Sequence, residues 1–111
     1  MREHEKKALA YLGLAARAGR VTVGVTLCCE ALKKRASSVK KPPVIVLVAS
    51  DASDATKKRI TDRAAYYGVS VIALSVDCAA LATTVGKRDG SVAAVLVSEP
   101  SLAQAIGALY E

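Results

Sequence analysis

Apolar and polar residues alternate along the chain with two different periods, which predict alternating helices and strands. An apolar residue every three or four positions predicts a first helix over residues 3–17, with Leu9 and Leu12 on the stripe that faces the core. Runs rich in β-branched residues predict strands over residues 21–23, 44–48, 69–74 and 92–97. The run VIVLV at 44–48 is unbroken, which is typical of a central strand buried on both faces.

Helical periodicity returns between and after these strands. It predicts helices over residues 26–35, 54–67 and 77–85, and a last helix with Pro100 in its first turn. The apolar face of the second helix is expected to consist of Leu27, Cys28, Ala31 and Leu32. Residues 36–43 contain Ser-Ser and Pro-Pro pairs and are predicted to form a loop.

The order of these elements, one helix followed by four strand–helix units, predicts the α/β class. Residues 1–111 are expected to form a single domain, a three-layer αβα sandwich with helices on both faces of a mainly parallel or mixed sheet. Apolar residues make up 52% of the chain, with 21 Ala and 14 Val but no Phe or Trp. The core is therefore built from small aliphatic side chains, and an intrinsically disordered chain is excluded.

The length of the apolar runs bears on the cellular location. They reach about ten residues at most, against the roughly 20 that a membrane-spanning helix needs. Residues 1–7 are charged and lead into no unbroken apolar stretch, so no secretory signal is expected. We expect a cytoplasmic protein with no membrane partner.

The cysteines predict neither a disulfide nor a metal site. Cys28 and Cys29 are adjacent, Cys78 is distant, and no CxxC pair occurs. His4, the only histidine, lies far from them in the sequence, so a zinc site lacks ligands. The cysteines are expected to be small buried residues of a protein in a reducing compartment.

The charges are distributed unevenly along the chain. Residues 1–63 carry 14 Lys and Arg against 6 Asp and Glu, whereas residues 64–111 carry 2 against 4. Such a bias points to a polyanionic partner, with nucleic acid as the leading candidate. Lysines and arginines that merely solubilise helix faces explain the same counts equally well. The charge alone leaves both interpretations open.

Signatures of catalysis are weak. The sequence contains no GxxxxGK[ST] loop and no GxSxG turn, and a single histidine near the N-terminus cannot support a distant nucleophile. Asp51 follows a central strand and would hold a cation or a phosphate together with Thr56 and Lys57. The segment 51–53 is better explained as a helix cap. We therefore expect no enzymatic activity, no cofactor and no metal.

Three loops are expected to meet at one edge of the sheet, where the carboxyl ends of parallel strands lie. They contain Gly24 to Leu27, residues 50–53 and residues 86–91. The first offers a helix N-terminus to phosphate, and Gly24 lets the RNA backbone approach closely. The third adds the cations Lys87 and Arg88. These loops contain no aromatic residue, so a structured RNA held by its shape and backbone fits better than single strands stacked on aromatic rings.

Four motifs resemble the ribosomal protein L7Ae/L30e superfamily, in particular its small bacterial members. They are LGLAARAGRV at 12–21 with Gly24 after it, VLVASDASDATKK at 46–58, YYGV at 66–69 and LATTVGK at 81–87. The similarity runs in order over nearly the whole chain. It implies an αβα sandwich around a four-stranded mixed sheet. It also implies binding to kink-turn RNA, a bent helix–bulge–helix with sheared G·A pairs, in ribosomes or other ribonucleoproteins.

The resemblance assigns contacts residue by residue. The family's Asn-Glu-x-x-Lys signature falls on Thr26, Leu27 and Glu30, while Gly24 before it matches. Glu30 places a negative charge where the family has lysine, but the Thr26 hydroxyl and the backbone amides of 25–27 remain as donors. A later contact loop falls on residues 87–92. The resemblance therefore implies RNA contacts at Gly24, Val25, Thr26, Leu27, Glu30, Lys33, Lys87, Arg88 and Ser91.

Lys33, Lys34 and Arg35 lie about 12–15 Å from Gly24 along the second helix, and with Lys40 and Lys41 of the following loop they form a basic cluster away from the predicted RNA contacts. We favour the interpretation that these basic residues complement the dipole at the end of the helix. The alternative is that they make a second contact with ribosomal RNA.

The whole sequence predicts a non-enzymatic RNA-binding protein, ribosome-associated and monomeric. The alternative is a protein–protein adaptor of the same fold whose RNA recognition has decayed.

Overall fold

Helices and strands alternate as the periodicity predicts in a computed structural model that describes residues 2–87 and 90–111. Within these ranges the elements are α1 (Glu3–Arg17), β1 (Val21–Val23), α2 (Val25–Ala36), β2 (Ile45–Val48), α3 (Asp54–Tyr66), β3 (Val71–Ala73), α4 (Cys78–Thr84), β4 (Ala94–Val97) and α5 (Pro100–Leu109). None of these helices combines the length and the apolar character needed to cross a bilayer.

The four strands form one mixed sheet in the order β1-β4-β2-β3. Strand β4 runs antiparallel to both of its neighbours, and β2 runs parallel to β3. The two central strands, β2 and β4, are buried along their whole length, which the unbroken run at 44–48 predicts for β2. The edge strands β1 and β3 are not fully buried.

Alternate residues of the central strands point to opposite faces of the sheet and create two cores. Ile45 and Leu47 pack with α1, α4 and α5 on one face. Val46 and Val48 pack with α2 and α3 on the other face. This arrangement confirms the predicted three-layer αβα sandwich around a four-stranded mixed sheet.

Three strands begin later than predicted, β2 by one residue and β3 and β4 by two. In β3 and β4 the cause is that neighbouring helices capture the first predicted residues. The amide of Val69 donates to Ala64 O at 2.8 Å, so Val69 completes the C-terminal turn of α3 instead of opening β3. The amide of Val92 donates to Cys78 O at 3.1 Å, and its side chain is buried in the core beside α4. Strand β4 therefore begins at Ala94.

The predicted apolar face of α2 is wrong at one position. Cys28 and Leu32, four residues apart, are fully buried, whereas Leu27 is 55% exposed. Neighbouring residues on a helix point about 100° apart, so the burial of Cys28 turns Leu27 towards solvent. This leaves a large apolar side chain on the surface beside the start of the helix.

Candidate functional site

The segments that follow β1 and β2, two of the three predicted to converge, meet the residues just before and at the start of β4 at one edge of the sheet. Because β4 runs opposite to β1 and β2, its N-terminal end lies beside their C-terminal ends. The amide of Gly24 donates to Ala94 O at 2.9 Å, and the amide of Ala49 donates to Ala93 O at 2.9 Å. The segments after β1, after β2 and before β4 are thereby fastened to one another. We refer to this region as the loop edge.

The start of α2 is an uncapped helix N-terminus at the loop edge. Gly24 precedes the helix with φ 98° and ψ 146°, a conformation that other residues rarely adopt. No side chain caps the helix, and its first turn contains no acidic residue. The first amides of a helix have no partner within the helix, so this end offers free donors and a positive dipole end to an anion.

Four of the predicted contact residues lie on one exposed face of α2. They are Thr26, Leu27, Glu30 and Lys33, and their spacing follows the helical repeat. Val25 differs, because its side chain is half-buried and packs against the core between α2 and the sheet. Only the backbone amide of Val25 is left for a ligand.

Sequence reasoning missed Arg59 at this site. Its Nη1 donates to the Thr26 hydroxyl across 3.4 Å, joining α3 to the first turn of α2. The two residues are 33 positions apart, so no local pattern connects them. The sequence carries one relevant signal, the helical periodicity of α3. It places Ile60 and Ala64 on the buried face of the helix and Arg59 on the exposed face.

Lys87 lies just after α4, in the connection that leads to β4. The Lys87 amide donates to Ala82 O at 2.9 Å, which fixes its backbone against the end of α4. A Cβ on Gly90 would lie 3.4 Å from Lys87 Cε, so the lysine stem lies close over this glycine. Lys87 and Ser91 are exposed, as expected. The predicted contact at Arg88 lies outside the described residues.

Asp51 is a helix cap, but not of the helix that follows it. Its Oδ1 accepts a hydrogen bond from the Cys78 amide at 2.7 Å, at the start of α4. Hydrogen bonds from the Cys78 thiol and amide hold the pKa of Asp51 below its ordinary value. The cap of α3 is Ser53, whose Oγ accepts from the Thr56 amide at 3.1 Å.

The ligand site proposed around Asp51 does not assemble. Lys57 Nζ donates to the Ser50 carbonyl at 2.8 Å, and its charge contributes to lowering the pKa of Asp51 without a hydrogen bond to that carboxylate. Thr56 is hydrogen-bonded to Ser53. The polar groups of this segment thus satisfy the backbone, and they do not converge on a common point where a substrate or a cation would sit.

The cysteines are free, and only Cys28 is fully buried. Its thiol donates to Thr22 O at 3.3 Å, and burial, reinforced by the neighbouring Cys29, raises the pKa of Cys28 to about 12. Cys29 and Cys78 are half-buried, so the expectation of burial is wrong for these two. Among residues 2–87 and 90–111, no three His, Cys, Asp or Glu side chains form a group suited to a metal.

The basic cluster beyond the loop edge has a partly structural role. Arg35 Nε donates to Pro42 O at 2.7 Å, and its Nη2 donates to Lys41 O at 3.3 Å. This arginine therefore holds the loop between α2 and β2 against the end of its helix. Lys33 and Lys34 are exposed on the last turns of α2, where their charges complement the helix dipole.

Comparison with known proteins agrees with this fold. The sequence profile of the ribosomal protein L7Ae/L30e/S12e/Gadd45 family matches residues 6–106. The RNA-binding protein YlxQ of Enterococcus faecium is 36% identical over 66 residues, which cover 60% of this chain and 58% of that protein. The match thus spans little more than half of the relative's length. A protein of unknown function from Bacillus halodurans has a similar structure, with TM-score 0.79 and 26% identity over 93% of this chain and 95% of that one.

Proposed function

The chain belongs to the ribosomal protein L7Ae/L30e/S12e/Gadd45 family, and from this membership we propose that it is a non-enzymatic RNA-binding protein that acts through the loop edge. The observation that carries the proposal is the meeting of three segments around the uncapped start of α2, tied by the hydrogen bond between Gly24 N and Ala94 O at 2.9 Å. The relative named RNA-binding protein YlxQ supports the same class of ligand.

The loop edge suits a phosphate backbone that passes close to the protein. The positive end of the α2 dipole and its free amides attract a phosphate, and nothing lies within 4 Å of the position where a Cβ on Gly24 would be. The exposed Lys87, in the connection that leads to β4, would add a full positive charge. Backbone amides and a lysine contact phosphates, so this combination recognises the course of the RNA backbone rather than the base sequence.

We further propose that the ligand is a kink-turn-like RNA and that the protein works in the cytoplasm in association with the ribosome. A sharp bend brings two backbone segments together, which matches donors on both α2 and the loop before β4. Thr26 offers one hydroxyl to a base edge, and the exposed Leu27 offers an apolar surface. Glu30 repels a nearby phosphate and weakens binding by about 1–3 kcal/mol.

A gel-shift titration tests the proposal directly. The probes are a kink-turn RNA and a straight duplex of equal length, each titrated at two salt concentrations. We expect tighter binding of the kink-turn RNA at both. Equal affinities that vanish together as the salt concentration rises would leave only non-specific attraction and would contradict kink-turn recognition. No binding of either RNA at low salt would contradict the function itself.

One observation favours a second candidate, a protein–protein adaptor. Leu27 is 55% exposed beside the acidic Glu30, a combination that suits a protein surface better than a phosphate. Light scattering over a dilution series tests association of the protein with itself, and a monomer at all concentrations is the result we expect. In the adaptor case the kink-turn RNA would not bind at low salt.

A further inference from the structure

We propose that the RNA interface extends from the loop edge along the exposed face of α3, where Arg59 and Arg63 bind phosphates and Tyr66 stacks on an unpaired base. This inference rests on the proposed function and adds to it a second contact surface. We call these three residues the α3 stripe. All three are exposed.

The geometry of α3 places the stripe in line. Arg59 and Arg63 are four residues apart and Tyr66 follows three residues later, so all three lie on one face of the helix. The distance from Arg59 to Tyr66 along the axis is roughly 10 Å at 1.5 Å per residue. A shallow groove of about 460 Å³ runs beside them, lined by Arg59, Asp62, Arg63, Tyr66 and Tyr67.

The stripe is continuous with the loop edge. Arg59 Nη1 reaches the Thr26 hydroxyl at 3.4 Å, and Thr26 lies in the first turn of α2. A backbone that passes the start of α2 therefore meets the guanidinium of Arg59 next. The long and weak hydrogen bond to a neutral hydroxyl is easily exchanged for a charged bond to phosphate.

The charges on this face leave both arginines available. The Asp62 carboxylate, which lies in the groove, forms a salt bridge with Lys58, with Oδ2 and Nζ 3.0 Å apart. Within residues 2–87 and 90–111, neither Arg59 nor Arg63 forms an ion pair. An arginine can bind a phosphate through two parallel hydrogen bonds. Two arginines one turn apart, neither of them paired with an acidic side chain in the described residues, therefore form a local positive surface.

Tyr66 provides the aromatic surface that the loop edge lacks. Its side chain is 80% exposed, although the chain has only four tyrosines and neither Phe nor Trp. Tyr67 packs against the core and meets the Tyr66 ring edge-on, with centroids 4.9 Å apart and planes at 87°. This contact orients Tyr66 while its exposed surface stays open to a base.

The test uses the full chain and a kink-turn RNA that carries a short single-stranded extension on each stem. The variants are Arg59→Gln with Arg63→Gln, Tyr66→Ser, and Tyr66→Phe. The matched control is Lys6→Gln with Lys7→Gln, which removes the same charge from exposed positions on α1, on the opposite face of the sheet. Thermal melting of each variant verifies that it is folded, as expected for exposed positions.

We expect the arginine pair variant to bind about tenfold more weakly and to lower the slope of log K against log salt by roughly 1.8, as for two lost phosphate contacts. Tyr66→Ser is expected to weaken binding about fivefold, while Tyr66→Phe retains the affinity because it keeps the ring. If the arginine pair variant loses no more RNA affinity than the lysine control, the proposed contact between the α3 stripe and RNA is wrong.

The same series separates this inference from the proposed function. If Lys87→Gln weakens binding while the arginine pair variant and Tyr66→Ser bind as the wild type does, the α3 stripe is wrong and the loop edge stands. If the wild type binds neither RNA, both fail. As a second measurement, 4-thiouridine placed in the single-stranded extension should crosslink to the peptide that contains Tyr66, and a crosslink confined to other peptides would contradict the stacking.

Discussion

The buried Glu5 on α1 and the exposed Ser75 in the loop after β3 form a hydrogen-bonded pair. Glu5 Oε1 accepts from the Ser75 amide at 2.8 Å, and Oε2 accepts from the Ser75 hydroxyl at 2.7 Å. Oε1 also accepts from the Val76 amide at 3.2 Å. Only 5% of Glu5 is exposed, so its charge is stabilised by these donors rather than by water. The pair ties the first helix to an edge of the sheet that lies 70 residues later in the chain.

Replacement of Glu5 by Gln should destabilise the fold at neutral pH. The amide nitrogen of Gln cannot accept a hydrogen bond, so at least one of the three donors on Ser75 and Val76 loses its acceptor. We expect the free energy of unfolding to fall by about 1–3 kcal/mol at pH 7, measured by urea denaturation. Glu3→Gln, at an exposed position on the same helix, is the control. An equal loss in both variants would contradict a structural role for the buried carboxylate.

The same pair predicts a dependence of stability on pH. Burial acts to raise the pKa of Glu5, but the hydrogen bonds from Ser75 and Val76 outweigh it and hold the pKa below its ordinary value. Since the folded pKa is the lower one, the unfolded chain binds more protons in mild acid. The stabilisation is complete above the unfolded pKa and is lost as the pH falls through the folded value. Urea denaturation from about pH 6 to pH 3 should show a smaller decline for Glu5→Gln than for the wild type.

Gly24→Ala should destabilise the protein although there is room for the methyl group. The obstacle is the backbone, because φ 98° with ψ 146° is strained for any residue with a Cβ. We expect a loss of about 1–3 kcal/mol in urea denaturation. Gly13→Ala is the matched control, since this glycine lies within α1 and its added Cβ would make an ordinary 3.8 Å contact with Thr84 O. A stable Gly24→Ala variant would show that the segment adopts another conformation.

The fold was predictable because its signals are local. The composition of the run at 44–48 identifies a central strand. The helical repeats that include Leu12 and Ile60 identify α1 and α3 as helices with one buried face each. Errors arose where the outcome depends on neighbours. Leu27 continues the apolar pattern of α2, and only the burial of Cys28 against the sheet decides that it is exposed.

The candidate site was predictable only in part, for the same reason. Gly24 and Lys87 follow from strand and helix ends, which the sequence marks with glycine and charge. The partners of Asp51 and Thr26 lie 27 and 33 positions away, on other elements. Such pairs depend on how α3 and α4 pack against the sheet, which no local period encodes. Asp51 was therefore assigned to the wrong helix, and Arg59 was missed.

Glu30→Lys should tighten the binding of kink-turn RNA. Glu30 is exposed one turn after Thr26 on the face of α2 that carries the predicted contacts, so a lysine there exchanges repulsion of phosphate for attraction. We expect about a tenfold gain or more in a gel-shift titration at moderate salt. Glu30→Gln should give an intermediate affinity, since it removes only the repulsion. Unchanged or weaker binding of the lysine variant would mean that position 30 does not face the RNA.

Lys87→Gln should weaken RNA binding without affecting the fold. The side chain is exposed, and the position of the residue is set by backbone contacts, since its amide donates to Ala82 O at 2.9 Å whatever the side chain is. If the ammonium group contacts one phosphate, the slope of log K against log salt should fall by about 0.9. Lys7→Gln removes an equal charge from α1, on the opposite face of the sheet, and should leave the slope unchanged. Equal changes in the two variants would mean that Lys87 acts only through the net charge of the protein, and that the loop before β4 makes no direct contact with the backbone of the RNA.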